Sequence, residues 1–265
     1  MNDPPLFHLT QGRAPLLVSF PHSGTYLPPA LAARMTDAGR GVPDTDWHVP
    51  RLYDFLGDLG ATWIAATHSR YAADLNRPPD DTALYPGQKK TGLVPIEAFG
   101  GEALYRAGET PSAEEIAIRR AAYWQPYHDA IQTELMRLHA RHGVVLLWDA
   151  HSIRSEEPLL FDGQLPDLNL GTNDGASCAE AIAEAAFAAA RNSTFSAVRD
   201  QRFKGGYITR HYGRPRAGVH AIQLEMAQAI YMREGPPYTF LDGPAVRVSA
   251  AIETMMRAAL AVLPR

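Results

Sequence analysis

The sequence predicts an α/β fold with helices on both faces of a central sheet. Short, continuously apolar segments alternate along the chain with longer segments of helical periodicity, and strands that are apolar throughout are typical of sheets covered on both faces. A length of 265 residues suits one large domain or two small ones, and we find no repeat or linker that would divide the chain. We therefore expect a single domain over residues 1–265.

Four apolar segments are predicted as strands of this sheet. Leu16–Phe20 ends at Pro21 and has the length of a buried strand, and Val144–Trp148 is the clearest central strand of the chain. Residues 61–67 and 219–224 have the same apolar character. In open α/β sheets the carboxyl ends of the strands line the ligand crevice, so the residues that follow these segments are the first candidates for function.

Four segments are predicted as helices from the spacing of their apolar residues. Ser112 and Glu115 have the spacing of a capping box, which marks the beginning of a long helix. Gly143 is a suitable residue to end that helix. The predicted helices cover residues 46–59, 112–141, 175–191 and 245–263.

Residues 78–111 do not follow the alternation of strands and helices. Long loops of this kind within compact domains are usually functional. We therefore expect the segment to form a lid or a wall of a pocket. Its turn-forming and basic groups are Pro78-Pro79, Tyr85-Pro86-Gly87, Lys89-Lys90 and Gly100-Gly101.

The composition indicates the cellular compartment and disfavours two classes of binding partner. The 25 basic and 29 acidic residues give a net charge of −4, which offers no electrostatic basis for binding nucleic acid or an anionic membrane. No apolar run approaches the roughly 20 residues that a membrane span needs, and the amino terminus does not resemble a signal peptide. Cys178 is the only cysteine, which fits the reducing cytoplasm. Any metal site must therefore use histidine and carboxylate ligands.

Polar side chains follow three of the predicted strands, namely His22, His151 and Glu225. A catalytic zinc takes three histidine or carboxylate ligands and keeps a fourth position open for water, and these strand ends can supply such groups. A structural role for these histidines stays open as the alternative. A single histidine at a strand end is more often a hydrogen-bonded structural residue, and the chain has no HExxH motif. Asp149 can orient the His151 ring as a hydrogen-bond acceptor, or it can simply end the strand.

Two groups of basic residues are candidates for binding an anion. Arg70 and the pair Asn76-Arg77 follow another predicted strand, and guanidinium groups there can clamp a carboxylate. The alternative is a solvated ion pair with Asp74. Farther along the chain, Arg202 and Arg210 flank a glycine pair, which allows close approach of backbone to a ligand.

Seven stretches of the sequence together resemble the N-formylglutamate amidohydrolase family. Several of them are long and unusual in composition, and together they extend over most of the chain. The stretches are PHSGTYLP (21–28), PDTDWHVPRLYD (43–54), SRYAADLNRP (69–78), LLWDAHSIRS (146–155), LFDGQLPDLNLGTNDGASC (160–178), RFKGGYITRHYG (202–213) and GVHAIQLEMAQAIYM (218–232).

This resemblance implies a fold and an activity. The fold is a mixed sheet flanked by helices, similar to that of the zinc carboxypeptidases, with one zinc per chain. The activity is hydrolysis of N-formyl-L-glutamate to formate and L-glutamate, the last step of a histidine degradation route. The expected partner is therefore a small acidic substrate.

The resemblance also implies roles for single residues. His22 and His151 are expected to bind the zinc, with Glu225 as the general base and Arg70 as a cation beside the oxyanion. The remaining groups are expected to bind substrate: Asn76 and Arg77 the α-carboxylate, and Arg202 and Arg210 the γ-carboxylate.

The acidic ligand is where this sequence departs from the carboxypeptidase pattern. Carboxypeptidases place that ligand three residues after the first histidine, and the residue here is Thr25, which cannot serve. The family pattern places the substitute within PDTDWH (43–48). We expect it to be Asp46, which directly opens the predicted helix, with Asp44 as a helix cap.

Other functions are compatible with the same residues. The chain could be a zinc amidase or peptidase for another acidic N-acyl amino acid, or a non-catalytic member of the fold that binds an acidic metabolite. A serine hydrolase that uses Ser23 or Ser152 is disfavoured, because the sequence lacks the G-x-S-x-G elbow.

Overall fold

The computed structural model describes residues 3–82 and 91–264 of the chain. Within these residues the centre of the molecule is a seven-stranded sheet with the order β1-β3-β2-β4-β7-β5-β6. The strands are β1 (Phe7–Thr10), β2 (Leu16–Phe20), β3 (Thr62–Ala66), β4 (Val145–Ile153), β5 (Leu168–Gly171), β6 (Ala197–Arg199) and β7 (Val219–Ala227).

The sheet is mixed. Strands β3, β2, β4 and β7 run parallel to one another, and β5 runs parallel to β6. Strand β1 is antiparallel to β3, and β5 is antiparallel to β7. The predicted α/β class and the mixed sheet flanked by helices are therefore confirmed.

Helices cover both faces of the sheet. No helix in the described part of the chain is both long and apolar enough to cross a membrane. The α-helices are α1 (Pro29–Ala32), α2 (Asp37–Arg40), α3 (Ala113–Arg119), α4 (Gln125–His142), α5 (Glu180–Arg191), α6 (Tyr207–Tyr212) and α7 (Asp242–Ala261), and 3-10 helices cover Val49–Leu56, Pro215–Ala217 and Gln228–Ile230.

Alternation along the strands divides the core into two layers. Leu16, Val18 and Phe20 of β2 pack into one apolar cluster with residues of α5 and α7. Leu17 belongs to a second cluster, with residues of α4. Successive side chains of a strand point to opposite faces, so a strand that is apolar throughout supports a core on each side.

The face of the sheet that packs on α4 changes character along the central strands. Leu147 of β4 and Ala221 of β7 belong to the apolar cluster on this face. Farther along the same strands, positions of the same parity carry Asp149 and His151 on β4 and Gln223 and Glu225 on β7. This edge of the sheet therefore carries the candidate functional groups.

These strands extend beyond their predicted ends. The predictions placed His151 and Glu225 after Trp148 and Leu224, but both residues lie inside strands that continue to Ile153 and Ala227. The backbone ladder between β4 and β7 continues to the last residue of both strands. Polar side chains therefore do not mark the ends of these two strands.

The predicted helix over residues 46–59 is confirmed only in part. A 3-10 helix covers only Val49–Leu56, and His48 before it has a left-handed backbone with φ of 63°. The Asp46 N–H donates to the His22 carbonyl oxygen at 3.0 Å. The first residues of the predicted helix are thus held as a loop against the end of β2.

The other helix predictions are correct apart from their boundaries. Ser112 accepts a hydrogen bond from the Glu115 N–H, and Gly143 ends α4 with φ of 71°. A π-helical turn separates α3 from α4 just before Pro126, which has no N–H to donate. The helix predicted from residue 175 begins at Glu180, because the preceding turn contains left-handed residues.

Candidate metal centre

Two buried imidazoles, His22 and His151, lie next to each other at the polar edge of the sheet, with ring centroids 4.9 Å apart. The His22 Nε2 lies 2.7 Å from Asp74 Oδ1, and the His151 Nε2 lies 3.0 Å from Asp149 Oδ2. Because a carboxylate only accepts hydrogen bonds, each Nε2 carries a hydrogen. Each ring therefore turns its Nδ1 towards Asp46, where a metal ion could take the place of a proton, and Asp149 orients His151.

Asp46 contacts both of these Nδ1 atoms. Its Oδ2 lies 2.9 Å from the Nδ1 of His151 and 3.8 Å from the Nδ1 of His22. The three side chains are buried, and each offers a ligand atom within 4.8 Å of the other two. Two nitrogens and one oxygen at this spacing could hold one metal ion with a position left for water.

Asp44 has different partners. Its Oδ2 accepts hydrogen bonds from the Tyr71 hydroxyl at 2.8 Å and from the Phe99 N–H at 3.0 Å. It is therefore engaged in holding the loop that contains Phe99. Of the two aspartates, the structure brings Asp46 together with the histidines.

The buried carboxylates round the imidazoles outnumber the buried guanidinium groups that pair with them. In the described part of the chain, Arg70 is the buried guanidinium that pairs with this group, at 2.6 Å from Asp74. Buried carboxylates that outnumber their cationic partners are costly unless another cation compensates them. The donor set therefore fits a divalent cation. The buried carboxylates are Asp46, Asp74, Asp149 and Glu225.

The two imidazoles differ in proton affinity. Burial and the nearby Arg70 lower the pKa of His22 below its usual value. Burial also acts to lower the pKa of His151, but Asp149 and Asp46 outweigh it and hold that pKa well above the usual value. A metal binds the neutral ring, so it must displace a proton from His151, and metal affinity should fall as the pH falls.

Glu225 lies beside the ligand group. It is the direct partner of His151 in the pairing of β4 with β7. Gln223 Nε2 donates to Glu225 Oε2 at 3.1 Å, and Gln223 Oε1 accepts from the Gly206 N–H at 2.7 Å. Burial raises the pKa of Glu225 to about 8. A carboxylate that titrates near neutrality beside a metal site is suited to general base catalysis.

A cleft with a cavity volume of about 100 Å³ opens onto these residues. Its walls include the guanidinium groups of Arg70, Arg77 and Arg202, together with Thr91 and Phe99. A small substrate with negative charge is therefore the kind of ligand that the cleft suits.

Comparison with known proteins agrees with this geometry. The sequence model of the N-formylglutamate amidohydrolase family matches residues 14–232, a span that contains all the groups of the cleft described above. The chain belongs to the N-formylglutamate amidohydrolase family. The predicted resemblance is thus confirmed.

Several members of this family are similar over nearly the whole chain. The N-formylglutamate deformylase of Pseudomonas aeruginosa is 53% identical over 254 residues, which are 95% of this chain and 94% of that protein. The N-formylglutamate deformylase of Pseudomonas putida is 49% identical over 256 residues, 96% and 95% of the two chains. The crystal structure of N-formylglutamate amidohydrolase from Ralstonia eutropha JMP134 has a TM-score of 0.85 at 27% identity and covers 97% of this chain and 98% of that one.

In this family member Arg70 is buried at the cleft. Its Nη2 lies 2.6 Å from Asp74 Oδ2, its Nη1 donates to the Asp44 carbonyl oxygen at 3.2 Å, and its guanidinium lies 4.7 Å from the centre of the Phe99 ring. The pair with Asp74 is therefore buried, and the alternative of a solvated ion pair is wrong for Arg70.

Asn76 and Arg77 both line the cleft but are held differently. The Asn76 amide donates to Asp149 Oδ2 at 3.1 Å and accepts from the Ile208 N–H at 2.7 Å. Arg77 donates to the Thr91 hydroxyl from Nε at 3.0 Å and from Nη2 at 2.6 Å. Asn76 thus orients protein groups, and Arg77 is aimed by Thr91.

The two arginines round the glycine pair are placed apart. Arg202 lines the cleft, and its Nε donates to the Leu160 carbonyl oxygen at 2.8 Å. Arg210 belongs to α6, and its Nε donates to the Gly205 carbonyl oxygen at 2.8 Å. Among the described residues of the cleft wall, Arg202 is present and Arg210 is not.

The segment 78–111 contributes Thr91 and Phe99 to the cleft. It therefore forms part of the wall, as expected. The predicted turn Tyr85-Pro86-Gly87 and the Lys89-Lys90 pair lie outside the described residues. Opening of this segment as a lid stays a prediction.

Two residues of the site were missed by the sequence analysis. Asp74 was considered only as a partner of the arginines, yet it also fixes the His22 ring. Gln223 was given no role, yet it holds Glu225. The available indication for Gln223 was its position two residues before Glu225, because residues at this spacing share a face of a strand.

Proposed function

We propose that this chain hydrolyses the formamide bond of N-formyl-L-glutamate to give formate and L-glutamate, with one zinc per chain. The observation that carries the proposal is the position of Glu225 beside a histidine–aspartate–histidine group, in a cleft lined with arginines. The relatives named N-formylglutamate deformylase, at about half identity over nearly the whole chain, support the substrate. We take residues 1–265 as one catalytic domain.

The ligand set supports zinc as the metal. Two imidazole nitrogens and one carboxylate are a common combination for catalytic zinc. The only cysteine, Cys178, is buried in the apolar core rather than at the site. When bound, zinc supplies a Lewis acid that polarises the formyl carbonyl and lowers the pKa of a water molecule.

Glu225 is the proposed general base. Its carboxylate accepts a proton from the attacking water and later delivers that proton to the nitrogen of the departing glutamate. The Gln223 amide holds one carboxylate oxygen throughout, which keeps Glu225 in place while its charge changes. Burial supports this role, because it raises the pKa of Glu225 to about 8 and so makes the ionised carboxylate a stronger proton acceptor.

Arg70 is the proposed cation beside the reacting carbonyl. Its charge is fixed by the buried pair with Asp74, and it lies on the wall of the cleft. A positive charge that is already in place stabilises the oxyanion that forms when water adds to the formyl carbon. We propose that Arg70 contributes in this way.

The substrate carboxylates are assigned to the remaining arginines of the cleft. We propose that Arg77, aimed by the Thr91 hydroxyl, binds the α-carboxylate, with Asn76 as its neighbour. Arg202 is the proposed partner of the γ-carboxylate because it lines the cleft, whereas Arg210 would act through the Gly205 backbone. Arginine forks are well suited to carboxylates.

The cellular role follows from the reaction. Formation of glutamate and formate from N-formyl-L-glutamate would be the last step of a histidine degradation route. We propose that the enzyme acts in the cytoplasm on this small acidic metabolite. The single cysteine and the absence of any membrane-spanning helix in residues 3–82 and 91–264 support that location.

A substrate panel tests the proposal. Formate and glutamate would be measured after mixing the zinc-loaded protein with N-formyl-L-glutamate, and acetate with N-acetyl-L-glutamate. We expect the formyl compound to have the higher kcat/KM. Faster cleavage of the acetyl compound would assign the enzyme to another acidic N-acyl amino acid, and saturable binding without turnover would indicate a non-catalytic metabolite-binding protein.

A further inference from the structure

The segment that follows β7 contacts the loop that carries Asp46. Gln228 Nε2 donates to the Thr45 carbonyl oxygen at 3.0 Å, and the Tyr231 hydroxyl donates to the Trp47 carbonyl oxygen at 2.8 Å. These carbonyls belong to the two residues on either side of Asp46. The aspartate is therefore flanked by backbone groups that two side chains hold in place.

A short helix brings these two side chains together. Gln228 begins the 3-10 helix Gln228–Ile230, and the Tyr231 N–H donates to the Gln228 carbonyl oxygen at 3.1 Å. Tyr231 directly follows this helix, so a single tight turn separates the two residues. Gln228 and Tyr231 thus reach the loop from the same side.

Ser152 connects the two contacts. Its Oγ lies 2.7 Å from the Tyr231 hydroxyl and 3.3 Å from Gln228 Nε2. The single hydroxyl hydrogen of Tyr231 can be accepted by the Trp47 carbonyl oxygen or by Ser152 Oγ, and the Gln228 amide also donates to Ser152 Oγ. Gln228, Ser152 and Tyr231 therefore form one hydrogen-bonded cluster, which we call the loop brace.

The loop brace is buried, and one of its polar atoms has no hydrogen-bond partner among the described residues. All three side chains are buried, so water does not compete for their hydrogen bonds. The Gln228 Oε1 is buried without a partner in the part of the chain that the structure describes. An arrangement built for stability alone would avoid such an unpaired acceptor. The Gln228 amide is oriented so that its nitrogen, rather than its oxygen, faces the Thr45 carbonyl oxygen and Ser152 Oγ.

The loop brace joins the elements that carry the candidate ligands. Ser152 directly follows His151 on β4, and the Asp46 N–H donates to the His22 carbonyl oxygen at 3.0 Å. The position of the Asp46 carboxylate relative to both imidazoles therefore depends on the loop that the brace holds. We propose that Ser152, Gln228 and Tyr231 are positioning residues that set metal affinity by fixing Asp46, without contacting the metal themselves.

This inference rests on the proposed metal site, and its test measures metal affinity rather than activity. Tyr231→Phe removes one hydroxyl and leaves the ring. Zinc affinity would be measured by competition with a chromogenic chelator at fixed pH. Because groups that orient metal ligands typically contribute about 10–100-fold to affinity, we expect zinc to bind about 10–100-fold more weakly. The absorption spectrum of the cobalt-substituted protein should also change, since the ligand geometry changes.

The chain offers a matched control in the apolar cluster that contains α4 residues, whereas Tyr231 of the loop brace belongs to the other cluster. The Tyr127 hydroxyl is also buried, and it contacts Ser19 Oγ at 3.1 Å and the Ile64 carbonyl oxygen at 3.4 Å. Tyr127→Phe removes the same chemical group from an equivalent environment. We expect it to leave the zinc affinity and the cobalt spectrum unchanged, whatever it does to thermal stability.

Ser152→Ala provides a second variant if Tyr231→Phe does not fold, with Ser19→Ala as its control. We expect Ser152→Ala to bind zinc more weakly than the wild type, and Ser19→Ala to bind it as the wild type does. Zinc affinity equal to that of the wild type in Tyr231→Phe or Ser152→Ala would overturn the brace, and so would equal weakening in the controls. Wild-type hydrolysis of N-formyl-L-glutamate, assayed separately, tests the proposed function independently of these outcomes.

Discussion

The buried histidines of the metal centre and the buried His128 have different kinds of partners. His22 and His151 are 3% and 2% exposed, and His128 of α4 is 3% exposed. The Nε2 of His128 donates to the Leu75 carbonyl oxygen at 2.8 Å, and its Nδ1 accepts from the Tyr212 hydroxyl at 2.9 Å. Both nitrogens of His128 thus have neutral partners.

The electrostatic result follows from these partners. Burial lowers the pKa of His128 to about 3, so its ring stays neutral and packs against Trp124 with centroids 3.7 Å apart. At the other place, carboxylates face both rings and a cleft lies beside them. Burial of a histidine is therefore uninformative about function until the charge of its partners is known.

The largest effect should come from replacing a ligand. His151→Ala removes one of three ligand atoms, and we expect the purified protein to lose stoichiometric zinc and its activity. His128→Gln, which keeps a donor for the Leu75 carbonyl, should retain one zinc per chain. Metal analysis after gel filtration checks both variants. Equal zinc content in the two would remove the distinction between the two places.

Glu225→Gln should separate the base from the ligands. The change is nearly isosteric and removes the ability to accept a proton. We expect zinc content to survive and kcat to fall by about 10²–10⁴, the range typical of general acid–base groups. Loss of zinc from this variant would show that Glu225 is a ligand, which would contradict the assignment of Asp46.

Arg77→Met tests the substrate clamp. The change keeps the length of the stem and deletes the guanidinium. The kcat/KM for N-formyl-L-glutamate should therefore fall by a factor that corresponds to a loss of about 2–4 kcal/mol in transition-state binding. N-formyl-L-glutamine keeps the α-carboxylate, so its kcat/KM should fall by the same factor. A smaller effect on the glutamine compound would move Arg77 to the γ-carboxylate. Arg257→Met, at an exposed ion pair on α7, is the control and should have no effect.

The smallest effect concerns stability and the His128 environment. The unfolded chain takes up a proton on this histidine near pH 6.5, whereas the folded protein does so only near its lowered pKa of about 3. The contribution of His128 to the free energy of unfolding is therefore fully present above pH 6.5, and it is lost as the pH falls from 6.5 towards 3. Between pH 7 and pH 5 this group should reduce the free energy of unfolding by about 2 kcal/mol.

Urea unfolding of metal-free protein at the two pH values measures this contribution. His128→Gln should lose less stability than the wild type between pH 7 and pH 5, and the difference should be close to that amount. His22 and His151 titrate in both proteins, so their contribution cancels. An identical pH dependence of the two proteins would mean that His128 is not held neutral.

The sequence analysis was most successful where local pattern determines structure. The apolar runs that became β2, β4 and β7 led directly to His22, His151 and Glu225, because strands of a parallel sheet end at the same edge. Asp46 could be chosen only through the family resemblance. It lies on a loop whose conformation depends on a hydrogen bond to the His22 carbonyl rather than on helical periodicity.

The remaining features depend on contacts between distant residues. The hydrogen bond between His22 and Asp74 joins residues 52 apart in the chain, and an ion pair with Arg70 was already a sufficient explanation for that aspartate. Strands β1, β5 and β6 are three or four residues long, which is too short for a clear periodic pattern. Their place in the sheet comes from pairing with longer strands.

The central claim is that one metal ion, held by His22, Asp46 and His151, makes this chain a hydrolase of N-formyl-L-glutamate. The most direct test is a titration of metal-free wild-type protein with zinc while formate release is measured. We expect no activity before zinc is added and a linear rise that ends at one equivalent per chain. Full activity in protein shown to contain no metal would contradict the claim, as would a zinc-saturated protein that releases no formate.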